Sequence, residues 1–489
     1  MPKDRALLDW VRIDRNAAAP LQQQISRQIR NAILDGRLAP GTVLPSSRVL
    51  SSDLLISRGT AIAVYDRLLG EGLLQGQQRS AIFVAVPKLQ ESTQTVAHAT
   101  TATDAGDAAS GMDELDRLPP RHAAFMPGVP ALDIFPATRW ARLLSHRASQ
   151  MSLDVAGEMV HFGGYLPLRR AIAEHVKSSR GVRCDPEQVI ITSSARAAFA
   201  TICSIIATPG DRCLVEDPGY PIARWIIASH GLQSIPIAVD AEGMCADSTL
   251  PKAGLAYVTP THQLPLGVQL SAVRCKALID WAKSEDAWIV EDDYDSEFRY
   301  TGAAIVALHH WDPDGRVIHL GTFGKTLFPS LHVAYMIVPR ELAKRAEKAV
   351  FLAGCEPTLH VQAAPCDFIE QGHYATHIRR ARSVYRRRQK QLVDALNHYL
   401  EGIVAISPPP GSMHIVVPLP SEIPAAQLQS VAATAGLHVR AVSFYAARAA
   451  APNGILLGYA PLPDRHIEPA VARLAGVVSS IRTGSVKER

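Results

Sequence analysis

The sequence predicts an α/β protein of two unequal parts: a small helical module that ends in two short strands, then a large domain built on a mostly parallel sheet with helices on both faces. Three observations predict it. The chain has 489 residues, 47% of them hydrophobic and 20% charged, enough for about two to four domains with sizeable cores and too apolar for wholesale disorder. Residues 88–118, KLQESTQTVAHATTATDAGDAASGMDELDRL, are rich in Ala, Thr, Ser and Asp and almost free of large apolar side chains, so burial there does not offset the entropy of ordering the chain. Past that stretch, short β-rich runs alternate with helical ones, the pattern of a parallel sheet with crossover helices. The expected organisation is a module over residues 1–87, a linker over 88–118 and a large domain over 119–489.

In the first module, Leu21, Ile25, Ile29, Ala32 and Ile33 fall on one helical face, Pro20 suits the entry and Gly36 ends the run. Pro45 and Ser46 open a second helix that reaches Leu55. Ser57 caps a third, whose apolar stripe is Ala61, Tyr65, Leu68 and Leu69. Two short helices joined by a tight turn make a helix-turn-helix, and GLLQGQQRSAIFVAV, two strands with Arg79 at a polar tip, makes a wing. Residues 1–87 hold 11 Lys and Arg against 7 Asp and Glu, the highest positive charge per residue in the chain and a hint of a polyanion partner.

LPSSR, SRGT and AVYDRLLGEG follow one another in order here, and residues 15–86 resemble the winged helix-turn-helix of GntR-type regulators. The resemblance implies double-stranded operator DNA as a partner, met by Arg48, Ser57, Arg58 and Thr60, with Arg79 on the wing. These groups sit at helix N-termini, where backbone N–H groups and a guanidinium fork can meet phosphates and guanine edges. Ala81 stands where that family's wing usually carries Gly.

No run of 18 apolar residues occurs and the N-terminus MPKDRALLDW lacks an apolar core, so neither a membrane span nor a secretory signal is read and a cytoplasmic protein is expected. The seven cysteines are scattered and never spaced as CxxC, which supports neither a disulfide framework nor a metal site. HIRRARSVYRRRQK, residues 377–390, has the spacing of a solvated helix face or a dimer contact.

In the large domain several strands end in polar or tight-turn residues, as expected when one site lies beyond the carboxyl ends of a parallel sheet. VIIT runs into Ser193, Ser194, Ala195 and Arg196 and then a helix, whose free N–H groups suit a phosphate. CLVEDPGY brings Tyr220, AYVTPTHQLPLG brings His262 and Gln263, AWIVEDDYD brings Asp292, Asp293 and Tyr294, and VIHLGTFGK brings Lys325. A partly desolvated lysine, a carboxylate for a pyridinium nitrogen, an aromatic ring, a phenol and a helix N-terminus together describe a pyridoxal phosphate site.

From Phe125 to about Leu474 the motifs FMPGVPALDIFP, GYLPLRRAIAEHVKSSRGV, VEDPGYPIAR, YVTPTHQLPLG, VEDDYDSEFRY, GTFGKTLFPSLHVAY, HYATHIRRARSVYRRR and PGSMH resemble the fold-type I aminotransferases, in the version fused to a GntR-type reader in the MocR family. The resemblance implies a PLP-dependent transferase-like fold with a smaller C-terminal α+β subdomain over about 380–489, and pyridoxal 5'-phosphate as cofactor. It implies that Lys325 forms the aldimine, Asp292 pairs with the pyridine nitrogen, Tyr294 bonds the 3′-oxygen and Tyr220 lies against the ring. Thr322 and the backbone at Ser194 and Ala195 meet the phosphate. Asp293 stays open as the alternative to Asp292, since neighbours on a strand point opposite ways. A homodimer is implied as well.

Several positions depart from that family. His332 occupies the place of a phosphate-binding Arg, Ser194 that of a Gly, Gly324 that of a Ser and Leu264 that of an aromatic, while Leu456 in GILLGYA falls where aminotransferases place the Arg for a substrate carboxylate. The expected function is a DNA-binding regulator whose second domain senses a small amine, an amino acid or pyridoxal phosphate itself rather than acting as an enzyme. The alternatives are an active aminotransferase with an ancillary DNA-binding module, and a regulator whose cofactor pocket has lapsed.

Overall fold

The structure, a computed structural model, describes residues 8–17, 19–76, 81–85, 124–150, 162–300, 302, 305–448 and 451–483. They fall into two compact units, within residues 1–102 and 103–489. The linker expected over 88–118 lies outside the described residues.

In the small unit, α1 (Leu21–Leu34), α2 (Ser47–Asp53) and α3 (Arg58–Gly70) are followed by the antiparallel pair β1 (Leu74–Gln75) and β2 (Phe83–Val84). Ser46 caps α2 by accepting from the Val49 N–H at 3.3 Å, and Ser57 caps α3 by accepting from the Thr60 N–H at 3.0 Å. The expected stripes form the core, with Ile25, Ile29, Ala32, Ala61, Tyr65 and Leu68 buried together and Leu8 and Val11 of the N-terminal segment added to them. Gln24 and Gln28 hold that segment against α1 by bonding the backbone of Asp14 and Arg12 in both directions, a role the helical pattern alone does not reveal.

The large unit opens with α4 (Ala137–Ser149) and α5 (Leu166–Arg180), then β3 (Val189–Thr192), α6 (Ala195–Ile206), β4 (Arg212–Asp217), α7 (Pro221–Ser229), β5 (Gln233–Asp240), β6 (Gly243–Met244) and β7 (Leu255–Val258). It continues with α8 (Ala272–Ser284), β8 (Trp288–Asp293), β9 (Val317–Thr322), β10 (Ala334–Ile337), α9 (Arg340–Leu352), α10 (Leu359–Glu370) and α11 (His373–Tyr399). The strands form one sheet in the order β3-β10-β9-β8-β7-β4-β5-β6, in which β10 and β6 are antiparallel to their neighbours and the other adjacent pairs are parallel.

Helices cover both faces because the strands are apolar on both. Ile190, Val215, Tyr257, Val290 and Leu320 pack with Phe199 and Ile202 of α6 and Val350 of α9. On the other face Leu214, Ala256, Val258, Ile289 and Val317 pack with Leu278 and Trp281 of α8. Along β8 the alternation puts Val290 and Asp292 toward the first layer and Ile289, Glu291 and Asp293 toward the second.

The C-terminal part carries β11 (His414–Pro418), α12 (Ala425–Thr434), β12 (Arg440–Ala441), β13 (Gly454–Gly458) and α13 (Asp464–Arg482), with an antiparallel sheet ordered β11-β13-β12. One part of the arginine-rich run departs from the expected solvated face. Arg379, Arg380, Arg382, Arg386 and Arg387 are exposed on α11, but Arg388 is buried, donates to the Ala460 carbonyl at 2.5 Å and pairs with Asp133 and Asp464. Its periodicity places it on the apolar side of α11, where a guanidinium persists only when paired. Among the described residues no helix is long and apolar enough to cross a membrane.

Gly321, in the middle of the β9–β10 pairing, faces Tyr335, and a Cβ there would lie 2.2 Å from Cζ of that ring. Tyr335 is buried on all sides, so the ring has no open space to move into. Gly321→Ala is therefore expected to lower stability by about 1–3 kcal/mol, read as a lower denaturation midpoint for the large domain.

Candidate functional site

Lys325 follows β9 and is half-buried, with Nζ donating to the Gly128 carbonyl at 2.7 Å. Burial lowers its pKa below the ordinary lysine value; the carboxylates of Asp292 and Asp295 oppose this, and the guanidinium of Arg196 reinforces it. Asp292, the penultimate residue of β8, accepts a short hydrogen bond on Oδ2 from the Tyr257 hydroxyl of β7, while its Oδ1 is buried with no partner among the described residues. Burial pushes this carboxyl up to about 6. Asp293 turns to the other face of the sheet, where Arg180 Nε donates to it at 2.7 Å and His319 Nε2 lies 3.9 Å away. Of the two carboxylates left open by the sequence, Asp292 is the one on the side of Tyr257 and Lys325.

Tyr220 is the N-cap of α7, and its ring lies nearly parallel to that of Tyr257, with centroids 6.5 Å apart and planes at 23°. Burial raises its phenol pKa, the Asp292 carboxylate adds to that, and Arg196 opposes both. Tyr294 donates its hydroxyl to the His262 carbonyl at 2.9 Å, which leaves the phenol oxygen able to accept.

Ser194 is the N-cap of α6 and accepts from the Ala197 N–H at 3.1 Å, so the N–H groups of Ala195 and Arg196 begin the helix without intrahelical partners. Thr322 ends β9 and its Oγ1 accepts from the Gly324 N–H at 3.1 Å, leaving the hydroxyl proton available to a ligand. His332 is exposed in a left-handed conformation, φ 52°, at the end of the short helical turn Pro329–Leu331. Leu456, in β13, is fully buried.

Around His262 and Gln263, which the sequence places at a strand end, stand groups that carry no local sequence signal. Tyr257 reads as one more apolar strand residue in LAYV, yet it holds Asp292. His262 Nδ1 lies 2.7 Å from Asp295 Oδ1, Ser412 Oγ donates to Asp295 Oδ2 at 3.0 Å, and His414 Nδ1 lies 3.4 Å from Ser412 Oγ. Burial holds His414 down to about 4, so it is neutral at pH 7, and His262 Nε2 has no partner among the described residues. Glu216 is buried beneath Thr259 and Gln263, its carboxyl pushed up to about 7 by loss of solvent.

A desolvated amine, a buried carboxylate oxygen that lacks a donor, an aromatic wall and a helix N-terminus meet the needs of pyridoxal phosphate: aldehyde, pyridinium N–H, ring and phosphate. The unpartnered Oδ1 of Asp292 is the most telling of these, because a buried acceptor without a donor is costly and a protonated ring nitrogen would satisfy it.

In the small unit Arg48 and Arg58 are exposed at the first turns of α2 and α3, and Thr60 is partly so. Ser57 is committed to its cap, with Oγ 2.8 Å from the Thr60 hydroxyl. Arg15 donates to the carbonyl of Leu55, the left-handed residue of the turn between the two helices, at 2.7 Å. Arg79 lies outside the described residues.

Residues 21–84 match the bacterial regulatory proteins of the gntR family, and residues 142–474 match aminotransferase class I and II. The chain is 36% identical to the probable rhizopine catabolism regulatory protein MocR of Rhizobium meliloti, over 94% of each chain. The chain belongs to the MocR-type transcriptional regulators. A second relative, the HTH-type pyridoxine biosynthesis transcriptional regulator PdxR of Corynebacterium glutamicum, is 30% identical over 93% of this chain and 95% of its own. Among solved structures, the Pyrococcus horikoshii kynurenine aminotransferase, determined in complex with PMP, superposes with a TM-score of 0.68 at 25% identity, covering 79% of this chain and 96% of that one. This MocR-type chain thus joins a GntR reader to a domain with the fold-type I aminotransferase fold. The reader segment holds Arg48, Ser57, Arg58 and Thr60, and the aminotransferase segment holds Lys325, Asp292, Tyr257 and Tyr220.

The raised pKa of Asp292 has a consequence for the ligand-free MocR-type chain. An acid whose folded pKa exceeds its unfolded value stabilises the fold only while protonated, so its contribution is present at about pH 4 and is lost as pH rises through 6. Asp292→Asn, which cannot ionise, is expected to unfold at higher temperature than wild type at pH 7, by up to about 3 kcal/mol of stability. The gap should close toward pH 4 in a thermal-unfolding series, and an unchanged gap would place Asp292 in a solvated site.

Proposed function

We propose that this protein is a regulator whose winged module binds operator DNA and whose aminotransferase-like domain holds pyridoxal phosphate and senses a small amine, an amino acid or the cofactor itself. The observation that carries the proposal is the combination of Lys325, Asp292, Tyr220 and Tyr294 in one site with a fully buried Leu456 at the place of a substrate-carboxylate arginine. Such an arginine supplies one of the stronger polar contacts available to an amino-acid substrate, and leucine supplies none.

The cofactor is pyridoxal phosphate, which when bound supplies an aldehyde that captures primary amines. In this reading Lys325 holds it covalently, Asp292 receives the ring nitrogen's proton contact with Tyr257 behind it, Tyr294 addresses the 3′-oxygen and Tyr220 covers the ring. Ser194, Ala195 and Thr322 address the phosphate, with His332 at the rim. On the DNA side Arg48, Arg58 and Thr60 meet the duplex, Ser57 holds the start of α3 in place and Arg79 extends the contact from the wing. The working form is a homodimer in the cytoplasm. The relatives named as regulators support the regulatory role. A second reading, an active aminotransferase, is favoured by the intact set of Lys325, Asp292 and Tyr220, and steady multiple turnover over a panel of amino acids and keto acids would establish it in place of sensing.

Borohydride reduction of the protein mixed with pyridoxal phosphate, followed by peptide mass spectrometry, is expected to place the pyridoxyl group on Lys325, and Lys325→Ala should abolish the label. On the DNA side, Arg58→Ala should cost about 1–3 kcal/mol of operator discrimination in gel-shift titrations while leaving the cofactor spectrum unchanged. Equal affinity and preference in the variant would mean that another residue reads the operator.

A further inference from the structure

His332 leaves the expected cofactor phosphate without its arginine, and the structure holds a different guanidinium near that end of the site. Arg196 is the second residue of α6, whose N-cap is Ser194. Side chains of an α-helix lean toward its N-terminus, so a residue in the first turn projects past the helix start, where the unpaired N–H groups of Ala195 and Arg196 point. Its side chain is exposed at the start of the helix rather than buried. It also lies near enough to lower the pKa of both Lys325 and Tyr220, on two walls of the site. His332 is exposed on a left-handed backbone at the end of the short turn Pro329–Leu331.

We propose that Arg196 is the phosphate-binding cation of this site, replacing from the start of α6 the arginine that the position of His332 lacks. The proposal rests on the cofactor reading above. It commits three kinds of donor to one dianionic phosphate: backbone N–H groups at the start of α6, a guanidinium there that stays charged at every working pH, and the Thr322 hydroxyl at the end of β9. A guanidinium fork matches a phosphate edge in a way an imidazole does not, so moving the arginine preserves the chemistry at a new place in the chain.

The test compares two aldehydes that differ only in the phosphate. The full-length protein is titrated with pyridoxal phosphate and with pyridoxal, following the absorbance of the lysine-bound form, for wild type, Arg196→Gln, Arg196→Lys and the double variant Arg196→Gln/His332→Arg. Arg196→Gln is expected to weaken pyridoxal phosphate at least about tenfold, as loss of a charged hydrogen-bonding partner does, and to leave pyridoxal within about twofold. Arg196→Lys should recover part of the loss and the added arginine at position 332 most of it. Equal weakening of both aldehydes would make Arg196 a structural or ring-side group, and no change in either would remove it from the site; both results overturn the proposal. Failure of wild type to bind either aldehyde would instead overturn the cofactor reading beneath it.

Discussion

Asp292 keeps one carboxylate oxygen on the Tyr257 hydroxyl and the other in a buried space with no donor among the described residues, and the large domain is arranged around holding it there. Removing a carboxylate from water without full compensation is expensive, which is why burial drives this group toward its neutral form. The sheet supplies the rigidity that makes such a placement persist. β8 is a central strand with β7 and β9 parallel to it on either side, and the register that sets Tyr257 against Val290 brings the phenol to the residue two places further along the same face.

The same strand handles three consecutive acids in two ways. Asp292 faces the ligand side, whereas Glu291 and Asp293 face the opposite layer and are neutralised there, Glu291 by His319 at 3.2 Å and by the backbone N–H groups of Leu308 and His309, Asp293 by Arg180. Arg180 also donates to Thr261 Oγ1 at 2.6 Å, which ties the strand to the loop carrying His262. Pairing the rear acids removes charge that would otherwise repel Asp292 and raise its pKa further. The result is one carboxylate facing the ligand side, backed by two acids that are paired on the opposite face.

Much of this was legible in the sequence because the fold collects strand ends. Ser194, Tyr220, Asp292 and Lys325 each sit at or just after an apolar run, so each advertises itself locally, and the parallel sheet brings them together. The choice between Asp292 and Asp293 needed the sheet, since alternation says that they part but not which layer holds the site. His262 announced itself at a strand end, but Tyr257 and the chain that joins His262 to Asp295, Ser412 and His414 did not, because their meaning lies in contacts across sequence separations that periodicity does not encode. Arg388 misled for a related reason: a run of arginines looks solvated until the helix turns one of them onto Asp133 and Asp464. In the small unit the capping serines and apolar stripes were plain, while the glutamines that pin the N-terminal segment were not.

The central claim is that Asp292 exists to keep a ring nitrogen protonated in a site built around Lys325. It is tested most directly by the 15N NMR shift of pyridoxal phosphate labelled at the pyridine nitrogen and bound to the full-length protein between pH 7 and 8. A protonated nitrogen in wild type that becomes unprotonated in Asp292→Asn is the predicted result. An unprotonated nitrogen in wild type, or one indifferent to the substitution, would contradict the account.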